Sequence, residues 1–431
     1  MTEPPRYSPR YVNLVVALLT GAVFVEFFHR QLLAVAMEQI GEELALSDTQ
    51  LGALVTAFAL AYALSAPLLG RLVDRLERRS VYAAGIALWS AATALGGIAG
   101  SYGLLLATRV VAGAGQGAAG ASNSPLIVDY VAPERRSGVF ALASMGATLA
   151  AFAAGGLGSL GALERFGWRA CFIASGIVGI AFALSFAAIL REPPRGWSEG
   201  HSLPPAPHVP LPEVARVLRS RAALWHTFAG TALNAIAVFA IAQWVVVFFE
   251  RAHALSNARA SGVLMIVALA CTAGAIAGGV VANRFWGARP RAVLLTPALC
   301  SALAAPALGV GATTESAALS IGLYALAGML ALVHSAPSGA AMQAMIPDRM
   351  RGVVTGMIAS LMTLVGLGGG PFVAGALSDL FGGASNPSSI GRALACVGVL
   401  LVWAGVHFAL AARSFEQDLA RNADDRAGAR G

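Results

Sequence analysis

No lysine occurs among the 431 residues, and Asp, Glu and Arg together supply only 12% of them. Ordinary soluble domains carry about 25% charged residues. A chain that is also 57% hydrophobic falls outside that class and reads as an integral membrane protein. The missing lysine leaves the net charge of +7 to 29 Arg. These are scattered through short polar segments, not gathered in a stripe, so nucleic acid is not an expected partner. Cysteine is scarce as well: Cys171, Cys271, Cys300 and Cys396 each fall in an apolar run without metal-ligand spacing, and neither a disulfide nor a metal site is expected. The sequence offers no His/Cys/Asp constellation and no phosphate-cradling loop. An enzyme or a cofactor-binding protein is therefore not expected. Nor is a cleavable signal peptide, since residues 1–10 are polar and Pro-rich and the apolar run that follows is too long for one.

What the sequence has in quantity is long apolar runs. Six lie at about 11–36, 49–69, 80–98, 103–129, 138–160 and 169–190, each near the length of a bilayer crossing. Six more lie at about 223–250, 258–282, 292–312, 317–345, 353–377 and 392–413. Twelve crossings put both termini on one side. With that side as the cytoplasm, the inner segments hold 22 Arg and the outer segments five, the asymmetry of the positive-inside rule. The expected organisation is an all-α membrane protein with a six-helix bundle over 1–190, a linker over 191–222, a second bundle over 223–413 and a cytoplasmic tail over 414–431. The linker is Pro-rich, and its last part places Val214, Val217 and Leu218 on one helical face beside Arg216 and Arg219, a pattern suited to the inner membrane interface and its anionic lipids. Residues 38–50 read as a solvated loop that enters the second span through Ser47 or Asp48 as N-cap.

The two sets of runs repeat each other. Gly70 corresponds to Gly279, Pro133 to Pro347 and Pro125 to Pro337, at separations of 209, 214 and 212 residues. Such similar separations argue for a duplicated six-span unit. Between the second and third runs lies a dense cluster of charge, in which Gly70, Asp74, Arg75, Arg78 and Arg79 form a plausible latch: an Asp near two helix ends can accept from backbone N–H groups and pair with Arg, and the Gly lets helices approach. Its counterpart in the second half has Asn283 where the first has Asp74, so the second latch is expected to be weaker.

Ionisable groups inside spans are costly and are functional candidates by default. Span one carries Glu26, His29 and Arg30, which the i,i+3 and i,i+4 spacing can bring to one face. Span four carries Arg109, Gln116 and Asn123 in one polar stripe, with Gly113, Gly115 and Gly117 placed for close packing against span one. Two Arg at similar depth without an equal number of acids suit an anionic ligand, which a guanidinium meets with a planar fork. In the second half Asn234 and Gln243 with Trp244 in span seven, and His334 in span ten, complete the candidate binding set. Trp244 could equally be an interface anchor. Gly368–Pro371 reads as a helix-flexing or packing element.

The spacing Gly70-x-Leu72-x-Asp74-Arg75-x-x-Arg78-Arg79 resembles the loop signature of the major facilitator superfamily of secondary transporters. Residues 29–33, 46–52, 109–115, 166–169, 251–256 and 411–419 are similar to its spinster-like branch, with the anion:cation symporters as the runner-up. The resemblance implies two six-helix repeats rocking about a central path, a monomer, and Arg30 and Arg109 lining the cavity. Both branches usually place an Asp before the span-one Arg and an acid seven residues after the span-four Arg, where this chain has His29 and Gln116. Ordinary carboxylate-based proton coupling is thereby put in doubt, and His29 or Glu26 must carry any coupled proton. The expected function is transport of a small organic anion or an anionic, lysolipid-like amphiphile across the bacterial inner membrane, with protons as possible partners. An uncoupled facilitator, a drug or metabolite exporter, and a non-transporting receptor on the same scaffold are the alternatives.

Overall fold

The computed structural model of the chain describes residues 7–194, 211–287, 289–347 and 350–428, and the regular elements among them are helical. The first six helices are α1 (Pro9–Leu44), α2 (Asp48–Arg75), α3 (Arg78–Gly96), α4 (Tyr102–Tyr130), α5 (Pro133–Ser159) and α6 (Ala162–Ile189). A short α7 (Leu211–Ser220) leads to α8 (Ala222–His253), α9 (Asn257–Phe285), α10 (Pro290–Thr313), α11 (Ala317–Leu332) and α12 (Ser335–Met345). The chain ends with α13 (Arg351–Met362), a π-helical segment (Thr363–Gly369), α14 (Gly370–Leu380) and α15 (Ser389–Gly428). Helix starts follow from local chemistry. Ser8, Ser101 and Ser316 accept from first-turn N–H groups of α1, α4 and α11. Pro9, Pro133 and Pro290 open their helices where an N–H would have no partner.

Ten crossings are long and apolar enough to span a membrane on their own, counting α11 with α12 and α13 with α14 as one each. α3 and α4 complete the twelve. α3 has only 19 residues and opens on Arg78 and Arg79, and α4 gives part of its surface to Arg109, Gln116 and Asn123.

Two expectations from the sequence are corrected. Residues 38–44 continue α1 and are not a loop: Met37 and Ile40 are fully buried, and the chain turns at Ala45 in the left-handed region. Ser47 and Gln50 then close a reciprocal capping box, Ser47 N–H to Gln50 Oε1 at 2.9 Å and Gln50 N–H to Ser47 Oγ at 3.3 Å. The glycines of α4 face α2 and α3 instead of α1. A methyl group at Gly113 would meet the carbonyl oxygen of Phe58, one at Gly117 would meet Ser65 and Ala66, and one at Gly115 would meet Trp89 and Gly85. α15 carries on past Arg413 and buries Phe415, Asp418 and Asn422. Asp418 accepts from the Ala223 N–H at 2.8 Å, placing a carboxylate at the start of α8.

The described residues form two compact units. The first holds residues 7–46, 53–194 and 257–262, and the second holds residues 47–52, 211–256 and 263–428. In the first, α1 packs on α5, and α3 lies against α4 and α6; in the second, α15 packs on α8 and α10. α7 is fastened to the second unit through Val217 and Leu218, which pack on the cluster around Leu224, Met345 and Phe415. The rest of the expected linker, 195–210, lies outside the described residues. In the second unit the π-helical turn precedes Pro371, which lacks an N–H and so widens the ladder. There Gly366 sits on Ala235 and Phe239 of α8.

Each unit contains one helix start from outside its main stretch of sequence. Residues 47–52, with the start of α2 at Asp48, lie in the second unit, and residues 257–262, with the start of α9 at Asn257, lie in the first, 209 residues on. Both starts are met by an acid, as the partial positive charge of a helix N-terminus favours. Asp379 accepts from the N–H groups of Asp48 (3.1 Å) and Thr49 (2.8 Å) and from the Thr49 hydroxyl (2.5 Å). Glu164 accepts from the Ala258 N–H at 3.0 Å.

Candidate functional site

Glu26 and Arg30 stand one turn apart on α1, a spacing that lets the two side chains meet. Arg30 Nη2 lies 2.5 Å from Glu26 Oε1. Arg30 Nε donates to Gln116 Oε1 of α4 at 2.7 Å, and Gln116 Nε2 donates back to the Glu26 carbonyl at 3.4 Å. Sequence spacing anticipates the Glu26–Arg30 contact, and the structure adds Gln116 of α4 to it. The Arg30 guanidinium also lies 4.8 Å, 5.1 Å and 5.3 Å from the ring centroids of Phe27, Phe58 and Tyr62.

Arg109 is different in kind. It is 4% exposed, its guanidinium sits 5.0 Å from the Phe58 ring, and its Nε has no hydrogen-bond partner among the described residues. The ion pairs of the described residues include no acid for it. Asn123 joins the same stripe with an unpartnered Oδ1.

His29 turns away from Glu26. Its Nε2 lies 3.2 Å from the Ser175 carbonyl of α6, and its Nδ1 is buried without a partner. The i,i+3 spacing allowed a shared face with Glu26, but the space between α1 and α6 accepts the ring instead.

The candidates of the second unit are dispersed. Asn234 is fully buried and donates to Ser301 Oγ at 3.1 Å, leaving its Oδ1 unpartnered. Gln243 is buried on the same helix. Trp244 is no interface anchor: it is fully buried, and its Nε1 donates to the Pro371 carbonyl at 2.9 Å. His334 bonds through Nδ1 to the Ala331 carbonyl at 2.7 Å and packs near Phe408, the environment of a structural histidine.

In the charged segment the buried member is Arg78. It pairs with Asp129 of α4, donates to Glu192 Oε1 at 2.7 Å and reaches the Pro193 carbonyl at 2.7 Å. The Arg79 N–H donates to Glu192 Oε2 at 2.9 Å and its Nη1 to the Leu190 carbonyl at 3.1 Å. Glu77 is held below the ordinary carboxylate range by hydrogen bonds from Arg79 and Ser80. Asp74 and Arg75 are exposed. Gly70 is not a point of close approach, since a methyl group there would meet nothing within 4 Å.

Two polar sites escaped sequence reasoning. Asp48 is fully buried in the second unit, where it takes a two-pronged contact from Arg251 (2.9 and 3.0 Å) and a hydrogen bond from Ser378 Oγ (2.6 Å). In the first unit Glu43 accepts from Trp168 Nε1 (2.6 Å) and pairs with Arg169 Nε (2.7 Å), while Arg169 Nη1 caps the carbonyls of Gly97 and Ala99. Gly167, at φ 76°, makes the bend that sends Trp168 inward and Arg169 to Glu43. The available signal was the pairing of Phe166-Gly167-Trp168-Arg169 with an acid at the end of α1. Among the described residues no group of three or more His, Cys, Asp or Glu converges as a metal site would need.

The geometry described so far agrees with comparisons to known proteins. The sequence profile of the Major Facilitator Superfamily matches residues 19–371. An MFS-type efflux pump of Mycolicibacterium smegmatis is 26% identical over 97% of this chain and 96% of its own length. A hexuronate transporter of Bacillus subtilis is 25% identical over 90% and 93%, and protein spinster homolog 1 of Homo sapiens is 25% identical over 86% and 74%. Among solved structures, a bacterial homolog of the human lysosomal transporter Spinster superposes with a TM-score of 0.85 at 24% identity, covering 96% of this chain and 99% of that one. Twelve helices of membrane-crossing kind, a duplicated six-helix pattern, the charged segment after α2 and these matches lead to one assignment: the chain belongs to the major facilitator superfamily of transporters.

Proposed function

We propose that this protein is a secondary transporter of organic anions in a bacterial inner membrane, with both termini cytoplasmic, working by alternating access. The observation that carries the anion reading is Arg109, a buried guanidinium with no acid and no hydrogen bond to its Nε among the described residues. Burying an unpaired charge is costly. A site built to receive a carboxylate explains why the cost is borne, with Arg30 and Gln116 as further contacts and Asn123 further along the same stripe of α4. The hexuronate transporter among the relatives supports the same class of substrate. Of the candidates in the second unit, Asn234 and Gln243 are proposed as polar contacts for the substrate, and His334, bonded to the Ala331 carbonyl, is not. Uptake of labelled carboxylates and lysolipids into proteoliposomes tests the reading. Saturable uptake of a carboxylate is the expected result, and export of neutral drugs without any anion uptake would replace it with an efflux function.

Proton coupling is assigned to His29. Glu26 is committed to Arg30, whereas His29 has a buried ring nitrogen without a partner, and a bound anion nearby would favour its protonated form. An inward proton gradient is expected to drive accumulation in wild type and only equilibration in His29→Gln. Gradient-driven accumulation that persists in the variant would remove His29 from the role.

The charged segment is proposed to act as a conformational latch on the cytoplasmic side, with Arg78 and Arg79 anchoring it through Glu192 and Asp129. Asp74→Asn is expected to favour the inward-open state, read by cysteine accessibility from the two sides. Identical labelling of variant and wild type would exclude Asp74 from the latch.

A further inference from the structure

The buried charges around Arg109 can be counted. Arg30 contributes one positive charge and Glu26, at 2.5 Å, one negative. Arg30 also commits its Nε to Gln116. Arg109 contributes a second positive charge that nothing among the described residues balances. Other acids of the same unit are engaged elsewhere: Asp129 and Glu192 with Arg78, Glu43 with Arg169, and Glu164 with the start of α9. With His29 neutral, one positive charge remains. Around it the guanidinium groups face the rings of Phe27, Phe58 and Tyr62, surfaces that favour cations and apolar groups over further anionic ones.

We infer, building on the anion reading above, that the site admits ligands carrying a single negative charge on an otherwise uncharged body and rejects dianions, and that Glu26 sets this limit. A second carboxylate would lose its water beside Glu26 and find no cation to meet it. That is a repulsive element against the wrong ligand, as specificity often requires.

The test uses the full-length protein in proteoliposomes at about pH 8, where an ordinary imidazole is neutral, and two pairs of probes matched in body: galacturonate against galactarate, and octanoate against suberate. Wild type is expected to take up the single-charge member of at least one pair about tenfold faster than its dianionic partner. Glu26→Gln leaves two unbalanced positive charges, and its preference is expected to move about tenfold toward the dianion. Gln116→Glu is the second variant, because it cancels the remaining charge without removing the Glu26–Arg30 pair. It is expected to lose uptake of both members while keeping a wild-type melting temperature. Equal uptake of both members by wild type, an unchanged ratio in Glu26→Gln, or undiminished uptake in Gln116→Glu overturns the charge limit. If such uptake still falls about tenfold or more in Arg109→Gln, the anion reading stands and only the limit falls. Anion uptake undiminished in Arg109→Gln, or no uptake of any of the four probes, overturns the anion reading itself.

Discussion

Arg109→Gln is expected to lower carboxylate transport by about tenfold to a hundredfold while leaving the folded protein as stable as wild type or more so. A hydrogen bond to a charged group is worth about 1.5–3 kcal/mol, and about 1.4 kcal/mol is one power of ten in affinity. The stability half of the expectation follows from burial. The substitution takes away a guanidinium that is 4% exposed and lacks an acid, so it removes a desolvation cost and breaks no ion pair. Most losses of function travel with losses of stability, which makes the opposite pairing diagnostic. Arg109→Lys should lie between the two, since an ammonium keeps the charge and loses the planar fork. Initial rates in proteoliposomes and thermal unfolding in detergent are the measurements. Wild-type affinity in both variants would rule out the role.

Arg251→Ala is expected to be among the most destabilising single substitutions in the protein. It strands the Asp48 carboxylate, which is fully buried and otherwise held by Ser378. Breaking a buried pair by removing one partner costs about 3–5 kcal/mol. The discriminating measurement is a comparison of unfolding midpoints for Arg251→Leu, Asp48→Asn and the double variant. The double variant is expected to melt above Arg251→Leu alone, because it leaves no unpaired charge. Additive losses in the double variant would show that the two side chains matter separately and not as a pair.

These two sites differ in how legible they were. The Glu26–Arg30 pair could be anticipated because helical spacing fixes which side chains of one helix meet, whereas the junction with Gln116 of α4 is a matter of tertiary packing. Asp48 could be read only as a helix cap. Its cation is 203 residues away, on the last turn of α8, where Arg251 looked like an ordinary end-of-helix charge. The glycines of α4 show the same limit: their spacing says that a helix comes close, but the choice of α2 and α3 over α1 belongs to tertiary packing. His29 shows it within a single turn. Periodicity offered it two neighbours, and the room beside Ser175 decided between them. The fold itself was plain because twelve apolar runs admit few arrangements in a bilayer, and the misjudged stretch was one where helix continued past the apolar run, at Glu38–Leu44.

The exchange of helix starts bears on where this chain can be divided. Neither compact unit is one continuous length of polypeptide: residues 47–52 lie with the second, and residues 257–262 lie with the first. A cut between α6 and α8 would therefore separate the first turn of α2 from Asp379, and the first turn of α9 from Glu164. The obvious seam in the sequence is not a seam in the hydrogen bonding. Two fragments made by that cut would each carry a helix whose leading amides have lost their carboxylate, and only the partner fragment could supply it.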